Sequence, residues 1–126
     1  FTYYNKEVVY LNEEKFGSYF QLIRKSKNIT QVEVANYVKR NKMTISLIEN
    51  DKNEPPSGEL LRNMIESLSL DDQVQIRKLY LLASRKRKML PADIEDYFFS
   101  NEEIYNSIVR GMKNNKKNED WGKIFR

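Results

Sequence analysis

Beyond its first dozen residues the chain repeats one pattern, apolar residues three and four positions apart between polar breaks, which is the signature of amphipathic helices. Phe16, Phe20 and Ile23 make the first stripe, inside NEEKFGSYFQLIRKSK, with Asn12 as the expected N-cap and acids in the first turn. Gly17 in that helix costs about 1 kcal/mol relative to Ala, a cost that points to a close helix contact. Thr30 opens a second helix, TQVEVANYV, as a capping box with Glu33 three residues on, and buries Val34, Ala35 and Val38. Asn41 caps a third helix with Ile45 and Ile48 inward. Pro55 and Pro56 then mark a turn, and Ser57 caps a fourth helix carrying Leu60, Leu61, Met64, Ile65 and Leu68.

Asp71 opens a fifth helix, with Val74, Ile76, Leu79, Leu82 and Ala83 as its apolar positions. Pro91 stands in the first turn of a short sixth helix, where proline is tolerated, and Ser100 caps a last one, NEEIYNSIVRGMK. Residues 1–12 alternate aromatic or β-branched with polar residues, as an extended arm or a short strand does. The tail after residue 113 is polar apart from Trp121, Ile124 and Phe125. The expected fold class is therefore all-α, with an N-terminal arm at 1–13.

Composition narrows the chemistry. With 126 residues, 40% of them hydrophobic, the chain holds one ordinary domain, or a small one plus an accessory element. It has no Cys and no His, so disulfides, thiolate metal sites and the usual general base are all missing. The one candidate for a paired-carboxylate enzyme site, DIEDYFFSNEE, reads better as helix starts and a solvated face. The expectation is a protein that is not an enzyme and needs no cofactor or metal. No apolar run reaches the roughly 18 residues of a membrane span, and FTYYNKEVVY lacks the apolar core of a secretory leader. A cytoplasmic chain with no membrane partner is expected.

Charge is segregated along the sequence. Residues 24–52 hold seven basic and three acidic side chains, 77–88 six basic and none acidic, and 93–103 five acidic and none basic. Lys39, Arg40 and Lys42 crowd the joint between the second and third helices, where a core gains nothing from them. Two helices of about eight residues, joined tightly and flanked by others, meet the requirements of a helix-turn-helix, whose second helix enters the DNA major groove. Cations at that joint suit a surface facing phosphates.

Residues 14–70 resemble the helix-turn-helix repressors of the Cro and phage-repressor type, the XRE family. The resemblance rests on Ile29, Thr30-Gln31, Val34-Ala35, Ile45-Ser46 and Glu49 at fixed spacing, followed by Pro55. It implies a five-helix lambda-repressor-like helix-turn-helix domain over 14–70, and an ion pair between Arg24 and Glu49 that ties the first helix to the third. The sequence departs from the family at two glycines: Lys39 stands in the turn and Asp51 after the third helix, both positions where positive φ is expected.

With Ile45 and Ile48 inward, positions 42, 43, 46 and 47 project away from the core. The expected base contacts are Asn41, Lys42, Met43, Ser46 and Leu47, with Lys42 donating to a guanine edge and Met43 or Leu47 touching a thymine methyl. The expected phosphate contacts are Thr30, Gln31, Lys39, Arg40, Thr44, Asn50 and Lys52, Gln31 acting with backbone amides at a helix start. Residues 71–126, outside the family pattern, form the expected helical dimerisation and regulatory region. Its basic run at 85–88 would face DNA flanks or the acidic segment 93–103 of a second subunit. The expected function is a homodimeric repressor on double-stranded DNA. The alternative is an antitoxin or similar module whose C-terminal half binds a protein, such as a toxin, an antirepressor or a protease.

Overall fold

The computed structural model describes residues 14–114; the arm at 1–13, with Asn12, and the tail with Trp121, Ile124 and Phe125 lie outside them. The described residues form seven helices and no strand: α1 (Phe16–Ser26), α2 (Gln31–Val38), α3 (Lys42–Glu49), α4 (Gly58–Ser67), α5 (Gln73–Arg85), α6 (Ala92–Phe99) and α7 (Glu102–Lys113). The chain divides into two compact units, one ending at Ala92 and one beginning at Asp93.

In the first unit the predicted stripes meet. Phe16, Phe20, Ile23, Val34, Ala35, Val38, Ile45 and Ile48 are all buried, as are Leu61, Met64, Ile65 and Leu68. Each large apolar side chain taken out of water contributes about 1.5–3 kcal/mol. α2 packs on α3 and α4, α1 on α3 and α5, and α4 on α5. The Phe16 and Phe20 rings stack at 5.7 Å. Tyr19, absent from the predicted stripe, is buried as well, with the Lys78 ammonium 4.4 Å from its ring centre. Burial, reinforced by the nearby Glu14 and Asp72 carboxylates, pushes its phenol above the usual value.

The expected break after residue 70 is not where the compact unit ends. α5 places Leu79, Leu82 and Ala83 in the same core as α1–α4, with Ile76 and Tyr80 packed against it. Without α5 the apolar edge of α1 and α4 would face water, so five helices close this core.

Helix starts also differ from the sequence reading. α1 begins at Phe16, with Lys15 at its N-cap and no acid in its first turn. A lysine side chain accepts nothing, and the cap comes from another part of the chain. Asp51 accepts from the Gly17 N–H (3.2 Å) and from the Ser18 hydroxyl (3.3 Å). Ser57 stands at the N-cap of α4 but makes no side-chain cap bond. Asp72, not Asp71, caps α5 through the Val74 and Gln75 amides. Asn101, not Ser100, occupies the N-cap of α7, while the Ser100 hydroxyl donates back to the Asp96 carbonyl.

Helix ends are unusual in one respect: Asn28, Lys39, Asp51, Ser69 and Lys88 all adopt positive φ, and none is glycine. Lys39 lies at φ 59°, ψ 45°. The Arg40 amide reaches the Ala35 carbonyl (2.9 Å) and the Lys39 amide the Asn36 carbonyl, the Schellman closure of α2. Asp51 closes α3 the same way, with Lys52 N–H to the Leu47 carbonyl at 2.9 Å.

The described residues of the second unit, 93–114, are thinly packed. No residue of α6 is buried, and in α7 only Gly111 is. Phe98 meets Phe99 and Tyr105 edge to face, at 5.3 and 5.9 Å. Ile94, Tyr97, Phe99, Tyr105 and Met112 stay exposed.

Gly17 shows why the first helix tolerates a glycine. A Cβ there would lie 2.2 Å from the Ile48 carbonyl oxygen and 2.7 Å from that of Glu49. Gly17→Ala should therefore destabilise by about 3 kcal/mol despite the better helix propensity of Ala. Lys39→Gly should instead stabilise by about 0.5–1 kcal/mol, because relief of left-handed strain outweighs the added freedom of the unfolded chain. Urea denaturation of both variants beside the parent checks the opposite signs.

Candidate nucleic-acid interface

The centre of the site is an ion pair. Arg24 on α1 grips Glu49 on α3 with two prongs, Nε to Oε2 at 2.6 Å and Nη2 to Oε1 at 2.9 Å. Its third nitrogen, Nη1, donates to the Ile29 carbonyl at 2.8 Å. Gln31 Nε2, on the first turn of α2, donates to Glu49 Oε1 at 2.9 Å, and Gln21 Nε2 adds a longer bond of 3.3 Å. Glu49 is only 2% exposed and Arg24 7%. Two buried charges are tolerable because each is paired and hydrogen-bonded. One carboxylate thereby joins α1, α2, α3 and the α1–α2 loop.

The pairing of Arg24 with Glu49 was implied by the family resemblance; the contacts of the two glutamines were not. Gln31 was expected to face phosphate, whereas this side chain is half-buried and turned to Glu49. Gln21 sits one turn before Arg24 on the same face, a spacing that in hindsight is the only signal for it.

α2 starts on the capping box. The Thr30 hydroxyl accepts from the Glu33 amide (3.1 Å), and the Thr30 amide donates to Glu33 Oε1 (3.0 Å). The Thr30 amide first, then the Thr30 side chain acting on the same carboxylate, holds the exposed Glu33 carboxyl below its usual 4.5. The box is intact above that value and weakens as pH falls through the lowered one.

α3 starts on Asn41, whose Oδ1 accepts from both the Thr44 amide and the Thr44 hydroxyl, each at 2.8 Å. In this arrangement Thr44 has no proton left for a phosphate, and Asn41 keeps only its amide N–H groups for a partner. Lys42 and Met43 follow on the outermost turn, Met43 being 70% exposed. One turn later the helix sinks. Ser46 is half-buried with its oxygen accepting from Asn50 Nδ2 (3.4 Å). Leu47, expected to stand exposed, is half-buried, and its carbonyl accepts from the Lys52 and Asn53 amides.

Lys39, Arg40, Asn50 and Lys52 are all exposed. An open groove of about 800 Å³ runs along the α1–α2 loop and the start of α2, with Lys25, Asn28, Thr30 and Lys42 on its walls. Lys25 and Asn28 escaped the sequence reading, since neither lies on the two helices it concentrated on. The structure thus brings Lys42, Thr30 and Gln31 to one groove, together with Lys25.

The basic run at 85–88 stays at the surface and makes contacts within its own unit. Lys86 Nζ pairs with Glu54 at 2.7 Å, and Arg87 donates to the Pro55 carbonyl (2.5 Å) and the Ala83 carbonyl (3.3 Å). Among the described residues no group of His, Cys, Asp and Glu is arranged to hold a metal ion, and no helix is long and apolar enough to cross a membrane.

Truncating one member of the buried pair leaves the other charge stranded. Arg24→Ala should cost about 3–5 kcal/mol, and Glu49→Gln should cost less because its amide still accepts from Gln31. Chemical denaturation of the two variants checks the order; an Arg24→Ala protein as stable as the parent would contradict the assigned role of the pair. Comparison of the chain with protein-family models, with curated proteins and with solved structures found no match.

Proposed function

We propose that this protein is a sequence-specific DNA-binding regulator of transcription, working as a homodimeric repressor of the Cro and phage-repressor type. The observation that carries this reading is the first turn of α3: Lys42 and Met43 stand uncovered at the start of a helix whose last residue is tied to α1 by the buried Arg24–Glu49 pair. A helix presented to the major groove needs such an end, with side chains free to meet base edges and a backbone that does not give. In this reading α2 and α3 are the helix-turn-helix, Lys42 donates to guanine O6 or N7, and Met43 packs on a thymine methyl. Lys25, Lys39, Arg40 and Lys52, all exposed, supply the phosphate contacts that set register. Repression follows from occupancy, two α3 helices filling successive major grooves about 34 Å apart.

The second unit supplies the dimer contact in this reading. Among its described residues Ile94, Tyr97, Phe99, Tyr105 and Met112 are exposed, an apolar surface suited to a partner. The same observation supports the rival reading, in which that surface takes a toxin or another protein.

Selection from a random duplex pool should converge on an inverted repeat with half-sites one helical turn apart. Lys42→Ala should weaken the selected site by about 1–3 kcal/mol and relax preference at one base position, whereas Lys52→Ala should weaken all sequences alike and lower the salt slope by about 1. Failure to converge, with only steeply salt-dependent binding, would leave a nonspecific basic surface.

A further inference from the structure

α7 carries an apolar stripe that no other described residue covers. Tyr105 and Met112, about two turns apart on one face, are 53% and 67% exposed. Ile108 and Val109 lie between them, half-buried. Phe98 of α6 touches Tyr105 edge to face and also touches the exposed Phe99, so the patch runs on to the end of α6.

The charges along this helix keep step with the stripe. Glu102 and Lys113 stand about three turns apart on the same flank of it, one at each end of the helix. Both are exposed, and neither is engaged by another described residue. Arg110, also in the last turn, donates to the Ser107 hydroxyl on its own helix. An acid at a helix start and a base at its end each suit the dipole, which accounts for either charge alone. The dipole does not account for their register. The midpoint of Glu102 and Lys113 and the midpoint of Tyr105 and Met112 both fall within about half a residue of Ile108. A twofold axis at Ile108 that lays α7 antiparallel to a second α7 therefore serves both pairs at once, because an isologous contact of i with j repeats as j with i.

We infer that the partner of this stripe is a second copy of the chain, docked α7 on α7 in the antiparallel sense about an axis at Ile108. Tyr105 of each copy then packs on Met112 of the other, a sulfur–aromatic contact, and Glu102 of each faces Lys113 of the other. The parallel arrangement sets Glu102 beside Glu102 and Lys113 beside Lys113, so the charges reject it. Burial of the stripe supplies the affinity, whereas exposed ion pairs add little of it and fix the orientation. The pairing rests on the dimeric reading proposed above and gives that dimer its surface and its sense.

Sedimentation equilibrium of the full chain at low salt should show monomer and dimer and no larger species. Glu102→Lys puts two lysine pairs across the axis and Lys113→Glu two glutamate pairs, and each should raise the dimer dissociation constant about tenfold. The double variant Glu102→Lys/Lys113→Glu restores opposite charges at both places and should regain most of the parent affinity, although it opposes the helix dipole at both ends. Mixing the two single variants should give a heterodimer tighter than either homodimer. Helix stability alone predicts the reverse: a double variant worse than either single one, and no gain on mixing. That result would overturn the inference. So would a chain that stays monomeric up to about 1 mM, which would leave the stripe to a different protein or to another part of the chain. The DNA reading fails separately. An inverted repeat selected by a chain whose dimer ignores the charge reversals overturns the α7 contact and keeps that reading, whereas rescue by the double variant without any selected sequence does the opposite.

Discussion

The carboxylate of Glu49 is the point on which the first unit turns. It sits at the end of α3, receives two bonds from Arg24 on α1 and one from Gln31 on α2, and through Arg24 reaches the Ile29 carbonyl of the loop between them. A hydrophobic core fixes how much is buried, but apolar side chains slide over one another at little cost. A bidentate guanidinium–carboxylate pair does not slide: its two short bonds set both distance and angle. The first turn of α3 is thereby presented at a defined angle to α2, which a core of Val34, Ile45 and Ile48 would define only loosely.

A second constraint acts at the same end of α3. α1 crosses the C-terminal end of α3 so closely that only glycine fits at position 17. The same crossing lets Asp51 serve twice. Its backbone takes the left-handed conformation that closes α3, and its side chain caps α1, whose own N-cap residue is a lysine. Glycine at 51 would ease the backbone and lose the cap. The strain of an L-residue in that conformation, about 1–2 kcal/mol, is thus offset by satisfying an otherwise orphaned amide. No such return is visible at Lys39, whose side chain is exposed; its cation stands beside Arg40 on the surface proposed to meet phosphates.

The two units differ in kind. The first has buried residues from five helices, a satisfied ion pair and side-chain caps at the starts of α1, α2, α3 and α5. The described part of the second has two short helices whose aromatic residues touch one another and which leave Ile94, Tyr97, Phe99, Tyr105 and Met112 exposed.

Sequence alone determined the helical class, the apolar stripes of α1 to α5, the capping box at Thr30 and the Asn41 cap, while the pairing of Arg24 with Glu49 came from the family resemblance. These depend on neighbours within one or two turns, or on a motif whose spacing is stated in the chain, and so can be read locally. Tertiary structure decided what depends on two distant segments meeting. It placed α5 in the core, because whether Leu79 and Leu82 face α1 and α4 or a second subunit is invisible in a stripe. It gave α1 its cap from Asp51, 34 residues away from Gly17. It turned Gln31 toward Glu49 and half-buried Leu47, because a helical projection tells which side faces inward but not what meets the rest. It drew the basic run 85–88 onto the α3–α4 loop, since a charge run declares its sign and not its neighbour.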